Sequence, residues 1–275
     1  MRPAFQGGER APGLVTAAIV AVAWAGCLSL NWPGHFSWDS VTQLAEGRHG
    51  VYSGQHPPVM SWLLALADAA QPGAVLFVVF DARFMPLLED LAILADGRLT
   101  LIRADALTLD PARLPAGASV VANLPYNVAT PLLVGWLTGA WRPSAMTLMF
   151  QKEVAERIAA APGSKDYGRL SVLVQALREA RMVMELPARA FTPPPKVASA
   201  VVRLTPRADR PSDALVDRLQ RVTAAAFGQR RKMLRSSLKP LGGEALCVAA
   251  GVEPSSRAEE LSVEQFLTLA VKLDD

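Results

Sequence analysis

The first part of the chain is dominated by an uninterrupted apolar run rather than by a regular alternation of apolar and polar positions. Residues 13–30 contain neither a charge nor a proline, and this length is close to the roughly 17–20 apolar residues that span a bilayer as a helix. Arg2 and Arg10 precede the run, and this arrangement favours a cytoplasmic N-terminus. The pattern therefore predicts an apolar transmembrane helix over residues 13–30.

Two other interpretations of this run stay open. A secretory signal peptide also combines positive charge with an apolar stretch, and Ala25-Gly26-Cys27 has the small residues of a cleavage site. A helix buried in a protein core is the third interpretation. Trp32 and Trp38 follow at positions typical of a membrane interface, so we expect residues 1–80 to form a membrane-protein-like segment with membrane contact through residues 13–30.

Beyond Asp81 the pattern changes to short β-rich runs that alternate with segments of helical periodicity. Residues 99–105 and 119–126 are apolar runs that end in polar or turn residues, as buried parallel strands do. Further strands are predicted at 145–150 and 199–204, and helices at 81–95, 129–137 and 151–161. Strands alternating with helices predict an α/β protein with a doubly wound, Rossmann-like sheet over residues 81–205.

From residue 206 onward the pattern predicts helices alone, at 214–227, 230–238, 243–250 and 262–273. We expect residues 206–275 to form a small all-helical domain. The net charge is only +3, but basic residues concentrate in this C-terminal part. Only Cys27 and Cys247 are present, and they lie too far apart to form a metal cluster by themselves. No metal site is predicted.

The sequence Asn123-Leu124-Pro125-Tyr126 follows an apolar strand, at the sheet edge where open α/β folds bind ligands. A nucleobase amino group is a weak nucleophile because its lone pair is delocalised into the ring. The Asn123 side-chain oxygen and a backbone carbonyl in the turn can accept its two hydrogens and orient the nitrogen toward an electrophilic methyl group. Pro125 stiffens the turn, and Tyr126 offers a face for stacking an extruded base. An accidental turn after a strand is the alternative.

Three other features carry candidate chemistry. Phe191 precedes three prolines, and a loop stiffened in this way can hold its ring against the opposite face of a base; a rigid crossover with Phe191 in the core is the alternative. Asp105 follows a predicted strand and can either accept a ligand amine or be a loop or helix-cap residue. The basic residues Arg230, Arg231, Lys232, Arg235 and Lys239 suit either an RNA backbone or a solvated helix face, on which Arg231 and Arg235 would lie together.

Several segments between Asp81 and Leu273 together resemble one family. They read NLPYN, QKEVAER, PGSKDYGRLS, FTPPPKVASAVVRL, AAFGQRRKMLRSSLK and RAEELSVEQF. This part of the chain resembles the bacterial small-subunit rRNA adenine N6,N6-dimethyltransferases, truncated at the N-terminus and fused to a membrane-protein-like segment. The resemblance implies S-adenosylmethionine as methyl donor, two neighbouring adenines of small-subunit rRNA as target, a cytoplasmic monomer, and no metal.

The resemblance also assigns roles to residues. It implies that Asn123 to Tyr126 are catalytic, that Phe191 stacks on the base, and that Asp105 and Asn123 bind the cofactor. The family's glycine-rich E-x-G-x-G-x-x-T segment does not occur before Asp81, and Val79 stands where an acidic residue should hold the ribose hydroxyls. The sheet is therefore expected to be incomplete, with its first strand missing and residues 75–80 in place of the second.

Three functional hypotheses follow. The first is an active rRNA adenine dimethyltransferase. The second is a catalytically inactive module that binds RNA on the small subunit. The third is a membrane-anchored fusion fragment, attached to the inner membrane through its N-terminal segment.

Overall fold

A computed structural model describes residues 20–23, 75–79, 82, 85–94, 99–191, 194–229 and 231–273 of the 275-residue chain. The strands are β1 (Val20–Ala23), β2 (Val75–Val79), β3 (Leu99–Arg103), β4 (Val120–Asn123), β5 (Met146–Gln151), β6 (Arg178–Leu186) and β7 (Ser199–Pro206). The helices are α1 (Met85–Leu94), α2 (Tyr126–Thr138), α3 (Lys152–Ala159), α4 (Arg169–Leu177), α5 (Asp213–Gly228), α6 (Leu234–Ser237), α7 (Gly243–Ala249) and α8 (Val263–Val271).

The strands form two sheets that continue one another. In the first, β1, β2 and β3 are parallel and hydrogen-bonded in that order. In the second, β4 and β5 are parallel, and β7 runs antiparallel between β5 and β6. Because β1 also packs beside β4, the order across the molecule is β3-β2-β1-β4-β5-β7-β6. The predicted doubly wound, Rossmann-like sheet is confirmed.

The predicted apolar helix over residues 13–30 is wrong where the structure describes this segment. Val20–Ala23 form the parallel strand β1, paired with β2 from Val20 opposite Leu76 to Ala23 opposite Val79. The physical reason is that a membrane helix and a buried parallel strand share the same apolar composition, and here the edge of β2 supplies hydrogen-bond partners. The predicted absence of a first strand is corrected as well. The rest of residues 13–30 lies outside the described residues.

Within the described ranges, no helix combines the length and apolar character needed to cross a membrane.

The other predicted strands and helices are confirmed, with one correction and one omission. Residues 230–238 were expected to form a helix, but only Leu234–Ser237 are helical. Met233 forms an antiparallel bridge with Arg257, and the next backbone N–H, that of Leu234, donates to the Ser256 carbonyl at 2.8 Å. Because these groups pair with a distant segment, the helix cannot begin earlier. The omission is the pair α4 and β6, which was not predicted.

Two clusters of buried apolar side chains hold the fold together. The first lies between one face of the sheet and helices α2, α3 and α4. The second joins α4 to α5, α6, α7 and α8. Helix α4 contributes to both clusters, with Val174 in the first and Val172 in the second. The division of the chain near residue 205 stays a prediction, and β1 and β2 extend the sheet upstream of Asp81.

Candidate active site

The Asn123-Leu124-Pro125-Tyr126 sequence lies where β4 turns directly into α2. Asn123 is the last residue of the strand and is half-buried, whereas the Leu124 side chain is fully buried. Pro125 precedes the helix with φ −56° and ψ 133°, and its carbonyl accepts the N–H groups of Val128 and Ala129, each at 3.0 Å. The buried leucine and the rigid proline therefore fix the backbone of this turn.

Two oxygen atoms of the turn lack a described donor: the side-chain oxygen of the half-buried Asn123, and the carbonyl oxygen of Leu124, which is a fully buried residue. The Pro125 carbonyl is occupied by the first turn of α2. Among the described residues, by contrast, no donor bonds to the Leu124 carbonyl or to the side-chain amide of Asn123. Both atoms follow the carboxyl end of a parallel strand, where open α/β sheets bind ligands. They form a pair of hydrogen-bond acceptors that suits a primary amino group.

Tyr126 begins α2, and its side chain is 36% exposed. Its hydroxyl lies 3.2 Å from the Ser199 Oγ, and either oxygen can be the donor. Ser199 is fully buried and begins β7. The tyrosine ring is thus attached at its far end to the central part of the second sheet.

Phe191 lies in the connection between β6 and β7, directly after the 3-10 helix Ala188–Ala190. Its N–H donates to the Ala188 carbonyl at 3.2 Å. The side chain is half-buried and belongs to neither apolar cluster of the described residues, so the alternative of a core phenylalanine has no support here. The end of the connection is held by a 2.9 Å hydrogen bond from the Lys152 N–H to the Ala198 carbonyl.

Lys152 makes a second link beside this connection that sequence reasoning missed. Its Nζ lies 2.7 Å from the Glu185 Oε2 and 3.8 Å from the Glu156 Oε1. The hydrogen bond to Glu185, and then that carboxylate's charge, raise the pKa of Lys152. The start of α3 is thereby attached to the end of β6, next to the connection that carries Phe191. No short-range pattern links residues so far apart in the chain.

Asp105 follows β3 and lies one residue beyond the last hydrogen bond between β3 and β2. The preceding N–H, of Ala104, donates to the Val79 carbonyl at 3.0 Å and so extends the pairing of β3 with β2. The Asp105 Oδ1 accepts the N–H of Leu107 at 2.9 Å, which closes a local turn; residues 106–108 form a turn and not a helix, so Asp105 is a loop residue and caps no helix. No described group bonds to Oδ2, so one carboxylate oxygen can still accept a ligand amine.

Val79 ends β2 and is fully buried. An isopropyl group cannot accept hydrogen bonds from ribose hydroxyls, and this one is not accessible to a ligand. The adenine end of a nucleoside cofactor therefore has an acceptor in Asp105, but Val79 supplies none for the ribose.

A pocket of about 140 Å³ opens between the segment after β3 and the outer side of α2. Its lining includes Leu107, Trp136 and Trp141 and carries no ionisable side chain. The indole N–H of Trp141 is already bonded to the Pro115 carbonyl at 2.9 Å. The pocket offers no group for acid–base or nucleophilic chemistry and is distinct from the turn after β4.

The predicted RNA-binding residues lie around α6. Arg231, Lys232, Arg235 and Lys239 are all exposed, and Arg230 lies outside the described residues. The prediction that Arg231 and Arg235 share one face of a helix is wrong, because Arg231 precedes α6 in a turn. Sequence reasoning missed Arg257, which is exposed and lies opposite Met233.

The strand order reverses between β1 and β4, and an Asn-Leu-Pro-Tyr turn lies at the carboxyl edge beside that point. The chain is thus a protein of the Rossmann-like class, with a candidate ligand site at the switch point of its sheet and a helical C-terminal part. The sequence profile of one family, described as ribosomal RNA adenine dimethylase, matches residues 74–275. The chain belongs to this family.

Individual relatives agree with this assignment. A protein of Phenylobacterium zucineum named ribosomal RNA small subunit methyltransferase A is 64% identical over 198 residues, which are 71% of this chain and 69% of the relative. Its namesake in Caulobacter vibrioides is 56% identical over 231 residues, covering 84% of this chain and 88% of the relative. The second match is longer than residues 74–275, so the similarity extends upstream of residue 74.

Solved structures show the same fold. A 23S rRNA methyltransferase, ErmE, matches with a TM-score of 0.60 and 25% identity, covering 88% of this chain and 100% of that one. A dimethyladenosine transferase from Plasmodium falciparum matches with a TM-score of 0.62 and 23% identity, covering 73% of this chain and 82% of that one.

Proposed function

We propose that the protein transfers methyl groups from S-adenosylmethionine to N6 of adenine in small-subunit ribosomal RNA, and that it does so twice to give the dimethylated base. The observation that carries this proposal is the turn after β4, where the half-buried Asn123 amide has no bonding partner among the described residues and lies beside the exposed ring of Tyr126. Family membership and the names of the relatives support the substrate class.

The residues at the carboxyl edge fit S-adenosylmethionine in part. We propose that Asp105 Oδ2 accepts a hydrogen bond from the amino group of the cofactor's adenine. We also propose that Asn123 lies next to the reacting methyl group. When bound, the cofactor supplies an electrophilic methyl group on a positively charged sulfur. The ribose hydroxyls cannot be held by Val79, so their contacts must come from other groups at this edge.

Asn123 and Leu124 are proposed to orient the target nitrogen. The Asn123 side-chain oxygen accepts one N6 hydrogen, and the Leu124 carbonyl, which the base must uncover as it binds, accepts the other. With both hydrogens held, the nitrogen presents its lone pair along a single direction, which favours the geometry of methyl transfer. Pro125 and the buried Leu124 side chain keep both acceptors in place without adjustment during the reaction.

Tyr126 and Phe191 are proposed to stack on opposite faces of the extruded adenine. A base leaves its helix at a cost of a few kcal/mol, and stacking on aromatic side chains returns roughly 1–3 kcal/mol per base. Tyr126 projects from the first turn of α2, and Phe191 lies in the connection that ends at β7. Neither ring is buried in the core, so both can meet a ligand.

The basic residues in and around α6 are proposed to bind the phosphates of the RNA. These are Arg230, Arg231, Lys232, Arg235, Lys239 and, from the neighbouring segment, Arg257. Phosphate contacts fix the position of the RNA but do not read its sequence. We propose that the protein acts as a monomer in the cytoplasm, where its ribosomal substrate is found.

The double variant Arg231→Ala, Arg235→Ala is expected to bind small-subunit rRNA more weakly at low salt. Its plot of log affinity against log salt concentration is expected to be shallower by about 0.7–0.9 for each lost phosphate contact. Filter binding over a range of salt concentrations measures both quantities. Arg113→Ala, at an exposed arginine in the segment between β3 and β4, is the matched control. An unchanged slope would assign these arginines to a solvated surface.

A second candidate function is RNA binding without catalysis. It is favoured by the buried Val79 at the ribose position and by the absence of the glycine-rich segment before Asp81. Calorimetry with S-adenosylmethionine and a methylation assay on small subunits that lack these methyl groups separate the two. We expect cofactor binding and dimethylated adenine. A folded protein that binds the subunit but neither binds cofactor nor transfers methyl groups would be a binding module.

A further inference from the structure

A hydrogen bond between two hydroxyl groups attaches the aromatic ring of the active-site turn to the middle of a sheet. The Tyr126 hydroxyl and the Ser199 Oγ are 3.2 Å apart. Ser199 is fully buried and pairs with Gln151 of β5 on one side and with Leu186 of β6 on the other. The serine hydroxyl therefore projects from a strand that neighbouring strands hold on both sides.

Stacking on a base requires the face of an aromatic ring but not a hydroxyl group. A phenylalanine at position 126 would offer the same face. The Tyr126 ring stands on the first turn of α2 and is 36% exposed, so packing alone leaves it room to rotate. The hydroxyl at its far end forms a hydrogen bond to a strand that is paired on both sides.

Ser199 also marks the end of the connection that carries Phe191. The residue before it, Ala198, is fixed by the 2.9 Å hydrogen bond from the Lys152 N–H. Phe191 belongs to the connection that ends at this point, and Tyr126 is attached to the same point through its hydroxyl. Loss of the hydrogen bond between Tyr126 and Ser199 would free the Tyr126 ring without acting directly on Phe191.

We propose that Ser199 is a positioning residue that sets the tilt of the Tyr126 ring against the target adenine, and that this matters most for the second methyl transfer. The proposal rests on the proposed function. Each transfer forms a nitrogen–carbon bond at N6 and breaks the sulfur–carbon bond of the donor, whose sulfur keeps the electron pair and leaves as the neutral thioether S-adenosylhomocysteine. One proton passes from N6 to solvent. After the first transfer only one N6 hydrogen remains, so either Asn123 or Leu124 loses its partner.

The stacked ring must then supply more of the orientation than it did in the first transfer. A defect in ring tilt therefore slows the second transfer more than the first and leaves monomethylated adenine to accumulate. A variant that is merely less well folded would behave differently, because a smaller active fraction slows both transfers by the same factor. The ratio of mono- to dimethylated product thus separates positioning from structural damage.

The test is a double-mutant cycle with Tyr126→Phe, Ser199→Ala and the two combined. We expect each single variant to slow the second transfer by about three- to tenfold, in line with the loss of one hydrogen bond, and the first by less. The combined variant should be no slower than either single one. Ser199→Thr keeps the hydroxyl and should retain most of the second-transfer rate. Thr205→Ala, which removes a hydroxyl from the other end of β7, should leave both rates unchanged.

Equal slowing of both transfers, or additive effects in the combined variant, would overturn the proposal. If the wild-type protein transfers no methyl group, the proposed function fails. The position of the Tyr126 ring is then measured with an RNA that carries fluorescent 2-aminopurine in place of the target adenine. Stacking of 2-aminopurine on the Tyr126 ring quenches the fluorescence of the 2-aminopurine. Less quenching with Tyr126→Phe and with Ser199→Ala would then support the proposal that Ser199 positions the Tyr126 ring, and unchanged quenching would refute it.

Discussion

Replacing Asn123 with alanine is expected to lower the rate of methyl transfer by about 10²- to 10³-fold, the usual effect of removing one preorganised polar group from a reacting centre. The amide lies at the end of β4, and no described residue bonds to it. Its loss therefore breaks no hydrogen bond among the described residues, and the free energy of unfolding should change by less than about 1 kcal/mol. The whole effect falls on the orientation of the target nitrogen.

Single-turnover kinetics on small subunits lacking the methyl groups measure this effect, and calorimetry checks that the cofactor still binds. Asn127→Ala makes the same chemical change at an exposed position within the first turn of α2 and should keep most of the activity. A rate for Asn123→Ala within threefold of the wild-type rate would remove Asn123 from the proposed mechanism. Similar losses in both variants would indicate damage to the turn instead.

Phe266→Ala is expected to lower the free energy of unfolding by about 3–5 kcal/mol, as truncation of a large buried side chain usually does. Phe266 on α8 is fully buried, and its ring stacks on that of Phe227 with centroids 5.4 Å apart. The Phe227 ring in turn meets the edge of Tyr167 at 6.2 Å. The cavity would open at the centre of the second apolar cluster, where three aromatic rings pack in series.

Urea unfolding followed by circular dichroism measures this loss as a shift of the midpoint at constant slope. Val248→Ala on α7 is the control, because 66% of that side chain is already exposed and its truncation should change stability by less than about 0.5 kcal/mol. Phe266→Ala should also weaken RNA binding, since α8 packs against α5, which in turn packs against the segment that carries the basic residues. A loss below 1 kcal/mol would mean that the cluster closes around the cavity.

The strands beyond residue 81 were predictable because most of them are apolar runs that end in turn residues. Strand β6 lacks that signal. Its sequence, REARMVMEL, mixes charged and apolar residues, and its pairing with β7 shifts at an irregularity between Met182 and Met184. It lies at the edge of the sheet, where Val183 remains 49% exposed. An edge strand buries too little surface to impose a clear alternation on its sequence.

Strand β1 was missed for a different reason. An apolar run carries no periodicity, so it is equally compatible with a membrane helix and with a strand buried in a parallel sheet. The deciding factor is the hydrogen-bonding edge of β2, more than fifty residues away, and no local pattern contains that information. The unpredicted turn of Arg231 has the same origin, since the bridge between Met233 and Arg257 is a contact between distant segments.

At the candidate site, the turn residues Asn123 to Tyr126 were predictable because their chemistry is contained in four adjacent positions. The contacts that hold these turn residues in place were not predictable. Tyr126 and Ser199 are 73 residues apart, and Lys152 bonds to Glu185 across 33 residues. A sequence shows which side chains are suited to contact a base. The contacts that hold those side chains in place depend on how distant strands pair.

The position of β1 has a consequence for synthesis of the protein. This strand lies between β2 and β4, yet residues 24–74 must be translated before β2 exists. At about 5–20 residues per second, that interval lasts roughly 3–10 s. During it, the apolar segment around Val20 has left the ribosomal tunnel or is leaving it without a partner strand. The nascent chain is therefore expected to depend on holding chaperones more than the finished protein does, although the finished protein works on the ribosome itself.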